Sequence, residues 1–463
     1  MVNIFLYLFL IIFNKGCKLD ILLINSPLFK DTKVDHRSDD YLPPIGLGYI
    51  ATNLKLHNIS CTLIDVVSEN IPFTNLLQKI NYFQPLFIGI NIFSTNFSIA
   101  KEIIESISFE TTFIVGGNAV QFLHKEIFDF NTSNDIFAVI GDGELITVDI
   151  VKSELKEKPI ETNEKRYLYR VDNNSLYFPR DISNIQLDRN FFTNEPIKNK
   201  IYNLKEAAII SSRGCIYNCA FCGAARKLNK HNDVRERNIK SIIDELNYLE
   251  NLYDGLESIR ILDDLFLKNN QYIEKASNIF LQKENLKWRA MAHTMSFSKS
   301  TQDDIDKLYK SGCYELSIGI ESGSEKILKM IHKPNQTSSI IHTFEKIFKA
   351  GINVKGYFIY GFPDEDIDDA EKTFSLASEL KNLAKKYNTK FRTSVFQFRP
   401  YHGTELYNYL NEQNLLFKTI KADDKLTNII GRTQFNFVAG NYTKISQDQI
   451  NYYIEKTMNL NKI

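Results

Sequence analysis

The sequence predicts an α/β protein in two parts: a doubly wound, Rossmann-like domain, then a partial (β/α)6 barrel with a small mixed C-terminal tail. Three observations lead there. Short β-branched or aromatic runs alternate with longer helical patterns in two successive series. A length of 463 residues exceeds one ordinary domain. A hydrophobic share of 43%, with only 20 Gly and 11 Pro, describes a chain that can bury a large core and excludes disordered or collagen-like classes. The 56 basic and 56 acidic residues cancel, so no long-range field draws the chain to nucleic acid or anionic lipid, and an anionic ligand needs a local site.

An apolar run over 4–13 ends at Asn14 and Lys15, short of the roughly 20 residues that span a bilayer. Nothing basic precedes it, and Asn14-Lys15-Gly16 is a poor processing site. Residues 1–17 therefore read as an extension on a cytoplasmic protein, without expected membrane contact; a membrane-surface anchor or a misassigned start are the alternatives. Six cysteines are too few for a disulfide scaffold, which favours a reducing compartment.

Over 18–155, strands are predicted at 19–25, 61–66, 86–93, 112–115 and 136–140, and helices at 45–56, 74–83, 98–106 and 120–127. Such sheets bind ligands at the carboxyl ends of their strands. The loops there contain Pro44, Ser94-Thr95-Asn96, Gly116-Gly117-Asn118 and Gly141-Asp142-Gly143-Glu144. The pattern weakens over 156–205, a linker with a hairpin expected at Asn173-Asn174. A second series, 206–410, offers strands at 207–211, 258–263, 288–293, 314–320, 354–360 and 392–398, each followed by a helical pattern. The region 411–463 is mixed, with a last helix at 447–458.

Alternation gives these barrel strands one polar face, assigned to the lumen: Arg260, Leu262 and Asp264; Arg289, Met291 and His293; Glu315, Ser317, Gly319 and Glu321; Thr393, Gln397 and Arg399. A closed barrel is filled with branched apolar side chains, so a polar lumen argues for an open one that holds polar ligands.

The sharpest motif is Arg213-Gly214-Cys215-Ile216-Tyr217-Asn218-Cys219-Ala220-Phe221-Cys222, after the first barrel strand. Three thiolates at this spacing can hold three corners of a cubane cluster and leave one iron open. Zinc is the alternative, with His231 the nearest fourth ligand. Cys17, Cys61 and Cys313 are expected to be dispensable. The loop resembles the CxxxCxΦC motif of radical S-adenosylmethionine enzymes, with Phe221 the aromatic before the third cysteine, and the resemblance covers about 206–410. It implies a [4Fe-4S] cluster on Cys215, Cys219 and Cys222 whose open iron chelates S-adenosylmethionine, and a one-electron reduction that yields a 5′-deoxyadenosyl radical. Asp263 and Asp264, Glu321 in Gly319-Ile320-Glu321-Ser322-Gly323, and Gly361-Phe362-Pro363 stand where similar enzymes contact S-adenosylmethionine. The bland readings are a helix cap for Asp263 and an ion pair for Glu321.

The N-terminal domain is similar to the cobalamin-binding domain of B12-dependent members of that group, through 24–27, 43–47, 115–118 and 141–144. The resemblance implies cobalamin beside Pro44, Ser94, Thr95, Gly116, Gly117, Gly141 and Glu144. The chain has no DxHxxG, and the nearest histidine is His36, which implies cobalamin without a lower histidine ligand. A Rossmann-like domain that has lost its cofactor is the alternative.

Together these features imply a cobalamin-dependent radical methyltransferase acting on an unactivated carbon or phosphorus of a small-molecule or peptide substrate. An electron donor such as flavodoxin or ferredoxin would serve it, and no nucleic acid is expected. No residue is assigned as catalytic. Residues 355–363 and 391–403 look like the P-methylases of phosphinate natural-product pathways, where Arg399 and His402 would grip an anionic oxygen. A salt bridge is the alternative for Arg399. Rearrangement or oxidative cyclisation without methyl transfer would use the same motifs. A methylthiotransferase would want three further clustered cysteines, and a zinc module no S-adenosylmethionine at all.

Overall fold

The computed structural model describes residues 19–27, 41–333, 336–416, 421–422, 437–438 and 440–462. The N-terminal run 1–17, His36 and most of the loop after the first strand lie outside them. The described chain forms two compact units, one built mainly from 46–178 with the first strand, the other mainly from 192 onward.

The first unit runs β1 (Ile21–Asn25), α1 (Ile45–Leu56), β2 (Cys61–Asp65), α2 (Phe73–Phe83), β3 (Phe87–Asn91), α3 (Phe97–Glu105), β4 (Thr112–Gly116), α4 (Val120–Phe128), β5 (Asp135–Gly141), α5 (Glu144–Lys152), β6 (Glu161–Asn163) and β7 (Arg166–Val171). Its sheet order is β2-β1-β3-β4-β5-β7-β6, parallel except for β6. The strand interiors are near-continuous apolar runs because helices cover the sheet, with Leu22, Ile24, Ile88, Ile90, Phe113 and Val115 buried. The doubly wound reading holds. The hairpin does not turn at Asn173-Asn174: β6 and β7 pair antiparallel and turn at Glu164 and Lys165, with Glu164 in the left-handed region. β7 then pairs parallel with β5. Its charge hides it as a strand, but the Arg166 guanidinium is spent on the carbonyls of Phe128, Thr132 and Asn134.

The second unit carries β8 (Ile197–Lys198), β9 (Lys205–Ile209), β10 (Ser212–Arg213), β11 (Arg235–Glu236), α6 (Ile239–Leu252), β12 (Ser258–Ile261), α7 (Asn270–Phe280), β13 (Lys287–His293), α8 (Gln302–Lys310) and β14 (Cys313–Glu321). There follow α9 (Glu325–Met330), α10 (Thr337–Lys349), β15 (Asn353–Tyr360), α11 (Ile367–Lys386), β16 (Phe391–Gln397), α12 (Glu405–Glu412), β17 (Lys421–Ala422), β18 (Phe437–Val438) and α13 (Gln447–Met458). Six strands, β9 and β12 to β16, lie parallel in chain order, with β8 antiparallel on the edge. This is the expected open (β/α)6 arrangement. Trp288, Leu316, Ile318, Val354 and Phe358 pack outward under the helices.

One face assignment is corrected. On β16 the residues toward the lumen are Arg392 and Phe396, whereas Thr393 and Gln397 turn outward to the C-terminal segment. Thr393 Oγ1 donates to the Thr457 carbonyl at 2.9 Å and its N–H to Asn461 Oδ1 at 2.7 Å. Gln397 Nε2 donates to the Gly440 carbonyl and to Gln447 Oε1, both at 3.1 Å. Polarity marked a tail-covered face rather than the lumen.

Candidate active site

The three cysteines sit on the irregular segment between β10 and β11, fastened by groups from distant parts of the unit. Ala220 N–H donates to the Ile331 carbonyl at 3.1 Å, and the Ala220 carbonyl accepts from Leu406 N–H at 3.0 Å. Phe221 meets Phe362 edge-on at 5.6 Å, and Phe362 packs on Phe398 at 5.1 Å, so the loop leans on the exits of β15 and β16. Gly214 takes a φ of +89°, a turn an L side chain rarely makes.

Burial pushes the Cys219 thiol up to about 11 and Cys222 up to about 12, and the neighbouring cysteines add to both. Burial raises all three thiols, so they become thiolates, as metal ligands must be, only against a strongly positive partner. Among the described residues no three His, Cys, Asp or Glu side chains close on a single ion position, and His231 is exposed. Three thiols on one loop match the donor set of an iron–sulfur cluster that keeps one iron open, whereas a zinc site ordinarily takes four ligands. The five described cysteines are free thiols.

Asp263 is buried and accepts from Ser211 N–H (2.7 Å), Ser211 Oγ (2.6 Å) and Ser212 Oγ (2.7 Å). It ties the end of β12 to the chain entering the cysteine loop, and its carboxyl is raised by burial. Asp264 is exposed, and its Oδ2 accepts from Gly214 N–H at 3.2 Å. The register of β14 shifts between Gly319 and Glu321, and Glu321 takes a φ of +65°, a strained setting that re-aims its side chain. Glu321 Oε1 accepts from the buried Lys333 ammonium at 2.8 Å, and Lys333 also donates to the Gly319 carbonyl at 2.9 Å. A methyl group on Gly319 would lie 2.2 Å from Glu321 Oε1 and 2.7 Å from Lys333 Nζ, so the glycine makes room for the pair. Lys333 stays charged despite burial because Glu321 and Cys219 hold its pKa up. The sequence did not single it out; the one signal was a lysine before Pro334 at the end of a helix.

A cavity of about 390 Å³ opens among the strands, lined by Arg260, Leu262, Arg289, Met291, Ser317, Glu321, Tyr357 and Phe396 with their neighbours. Its floor is a buried charge network. Arg289 binds Glu206 through two bonds of 2.8 and 2.6 Å, Glu315 accepts from Arg392 at 2.9 and 2.6 Å, and Tyr202 donates to Glu315 at 2.6 Å. His293 continues the row above Met291, and its ring stacks on Tyr217 at 4.1 Å. Gly361, at φ +96°, and Pro363 flank the buried Phe362. Arg399 and His402 do not line the cavity: Arg399 is buried against the Tyr401 hydroxyl, and the His402 ring packs on Tyr407 at 4.8 Å.

In the first unit, Ser94, Thr95, Gly116, Gly117, Gly141 and Glu144 meet at the carboxyl ends of β3, β4 and β5, whereas Pro44 groups with the barrel unit. Gly117 and Gly141 are required by the sheet itself, since a Cβ would lie 2.5 Å from the Ile92 carbonyl oxygen or 2.1 Å from that of Val171. Gly116 has no such contact, and Asn118 and Phe93 are exposed beside it. This bare strand end fits a flat ring laid across it.

These features define an α/β enzyme with an open barrel, a three-thiol loop at its first strand and a Rossmann-like companion domain. The radical SAM superfamily domain matches residues 209–377 and the B12-binding domain residues 33–151. The chain thus carries the pair of domains found together in B12-dependent radical S-adenosylmethionine enzymes, and the cofactors that go with the pair are a [4Fe-4S] cluster, S-adenosylmethionine and cobalamin. It is 28% identical over 406 residues to the uncharacterized methyltransferase PH0819 of Pyrococcus horikoshii, covering 81% of this chain and 80% of that one. It is 25% identical over 205 residues to cytidylyl-2-hydroxyethylphosphonate methyltransferase of Streptomyces wedmorensis, covering 43% of this chain and 36% of that longer protein. The fold is that of the radical S-adenosylmethionine methyltransferase TsrM of Kitasatospora setae, solved with cobalamin and a [4Fe-4S] cluster. The TM-score is 0.60 at 15% identity, over 95% of this chain and 85% of TsrM. Among the described residues no helix is long and apolar enough to cross a membrane.

Proposed function

We propose that this enzyme methylates an unactivated carbon or phosphorus of a small amphiphilic, anionic substrate held in the barrel lumen, in the reducing cytoplasm. The observation that carries the reading is the cavity itself: its lining combines Arg260, whose Nη1 also donates to the Tyr41 carbonyl at 3.2 Å, with Tyr357, Ile359 and Phe396 and with Glu321. An arginine in a partly desolvated cavity favours carboxylate, phosphonate or phosphinate oxygens, and the aromatic wall favours an apolar body. The methyltransferases among its relatives support the transfer, and the phosphonate methyltransferase supports an anionic acceptor.

When bound, the reduced cluster with S-adenosylmethionine supplies a hydrogen-abstracting radical, and methylcobalamin supplies the methyl group. Cys215, Cys219 and Cys222 would hold the cluster. Lys333 would meet a carboxylate of S-adenosylmethionine and Glu321 its ribose hydroxyls, while Ser94, Thr95 and the strand end at Gly116 would face the corrin. In this reading Arg260, which lines the cavity, takes the anionic oxygen in place of Arg399 and His402, which do not line it.

The test is an anaerobic turnover of the reconstituted enzyme with trideuteromethyl-labelled S-adenosylmethionine and candidate phosphinates, phosphonates and carbon acceptors. A product carrying the labelled methyl, with S-adenosylhomocysteine and 5′-deoxyadenosine formed alongside, is expected. Deoxyadenosine and an altered but unmethylated product would replace this reading with a rearrangement or cyclisation.

A further inference from the structure

The segment between Cys222 and β11 forms a compact surface platform. The Arg226 side chain holds it together, donating to the carbonyls of Asn229 (2.9 Å) and Asn232 (2.7 Å) and to Asp233 at 3.2 Å. Two further bonds stitch it to the cysteine loop: Arg226 N–H donates to the Tyr217 carbonyl at 2.8 Å, and Lys227 N–H to Asn218 Oδ1 at 2.7 Å. Both acceptors lie between Cys215 and Cys219. Asn229 Nδ2 closes the turn on the carbonyls of Gly223 and Ala225.

What this platform presents to water is cationic. Lys227 and Lys230 are exposed and form no ion pair with any of the described residues, His231 is exposed beside them, and the lone acid of the stretch, Asp233, is engaged by Arg226. In a chain whose basic and acidic residues balance, this local excess stands directly over the backbone that carries the cluster ligands.

We propose that this platform is the docking surface for an acidic, low-potential one-electron carrier protein of the flavodoxin or ferredoxin type. The inference rests on the radical reading of the cysteine loop. Electron transfer weakens steeply with distance, so a carrier has to settle close to the thiolates. Opposite charge steers encounter and fixes orientation in the small, transient interfaces such carriers use. The stitching bonds make the platform a short, rigid path from its surface to the cysteines. In the step, the carrier is oxidised by one electron and the iron–sulfur group on the three thiolates is reduced by one; no proton or leaving group moves.

The test compares the wild-type holoenzyme with a Lys227→Glu/Lys230→Glu double variant, using Lys349→Glu, an exposed lysine on α10, as a charge control. Flavodoxin affinity is read by titration of flavin fluorescence at several salt concentrations, and S-adenosylmethionine cleavage is driven by reduced flavodoxin or by dithionite. The double variant should bind flavodoxin about tenfold or more weakly at low salt, with the difference shrinking as salt rises. It should lose flavodoxin-driven cleavage in proportion and keep dithionite-driven cleavage, while the control matches wild type. Unchanged flavodoxin affinity overturns the proposal. So does an equal loss with dithionite, or an equal loss of affinity for a single-stranded oligonucleotide, which would make the platform a general anion surface. Absence of dithionite-driven cleavage in the wild type would instead count against the proposed function, and the affinity comparison would still judge the platform.

Discussion

Gly319 shows how one missing side chain can serve a site rather than a fold. The atoms a methyl group would strike are the charged ends of Glu321 and Lys333, not backbone, so Gly319→Ala should push the pair aside at little cost in stability. Cluster content and the urea midpoint should stay near wild type while S-adenosylmethionine affinity, measured by equilibrium dialysis, falls about tenfold or more. Unaltered affinity would mean that the pair is merely structural. Glu365 makes the opposite case. It is fully buried, one carboxyl oxygen accepts from the N–H groups of Gly361 and Phe362, the other has no partner, and burial lifts it to about 8. A folded-state pKa above the unfolded one gives stability that is complete below the ordinary carboxylate range and lost as pH rises through the folded value. Wild type should therefore lose stability between about pH 5 and pH 9, each pKa unit being worth about 1.4 kcal/mol, and Glu365→Gln should flatten that slope in parallel melts. The same slope in both proteins would assign the loss to other groups.

Among the elements, the end of β12 bears more on the cysteine loop than its motif suggested. Aspartates after the second strand were read as S-adenosylmethionine contacts, but the oxygens of Asp263 are engaged by Ser211 and Ser212, where the chain leaves β9. Asp263→Ala should leave those donors without their acceptor and loosen the approach to Cys215. The reconstituted protein should carry less iron and sulfide while far-UV circular dichroism stays near wild type; full iron content would return Asp263 to a direct ligand role. Much of this was legible beforehand. The helix spans 45–56 and 447–458 follow from hydrophobic period, and the strands that were predicted lie within a few residues of their places, because β-branched runs between turn residues leave few other options. What failed did so for a physical reason. Period-2 alternation separates two faces but cannot say which is inner when the outer one is also polar, and on β16 the C-terminal segment supplies Thr457, Asn461 and Gln447 as partners. β7 was hidden by the arginine it uses to satisfy loop carbonyls, and Lys333 by the absence of any local pattern around a residue whose partner is twelve positions away.

Over the whole molecule, the cysteine motif was legible because its chemistry is concentrated in ten consecutive residues. One part of the cavity was legible too: the lumen positions Arg260, Leu262, Arg289, Met291, Ser317, Gly319 and Glu321 line it, whereas the aromatic part, Tyr357 and Phe396, was missed because apolar residues on a strand read as outward-facing. The strand order of the barrel carries a further consequence. Its six parallel strands stand side by side in chain order, so during synthesis each new βα unit can add to the edge left by the last, and no strand has to insert between two already placed. The cysteine loop leaves the ribosome early in that sequence, yet its fasteners come late: Asp263 after the second strand, Ile331 after the fourth, Phe362 after the fifth and Leu406 beyond the sixth. The thiols thus begin uncovered and are closed in by stages as the chain lengthens. That leaves an interval, ending when residue 406 emerges, in which iron and sulfide can be delivered to a nascent protein more easily than to a finished one.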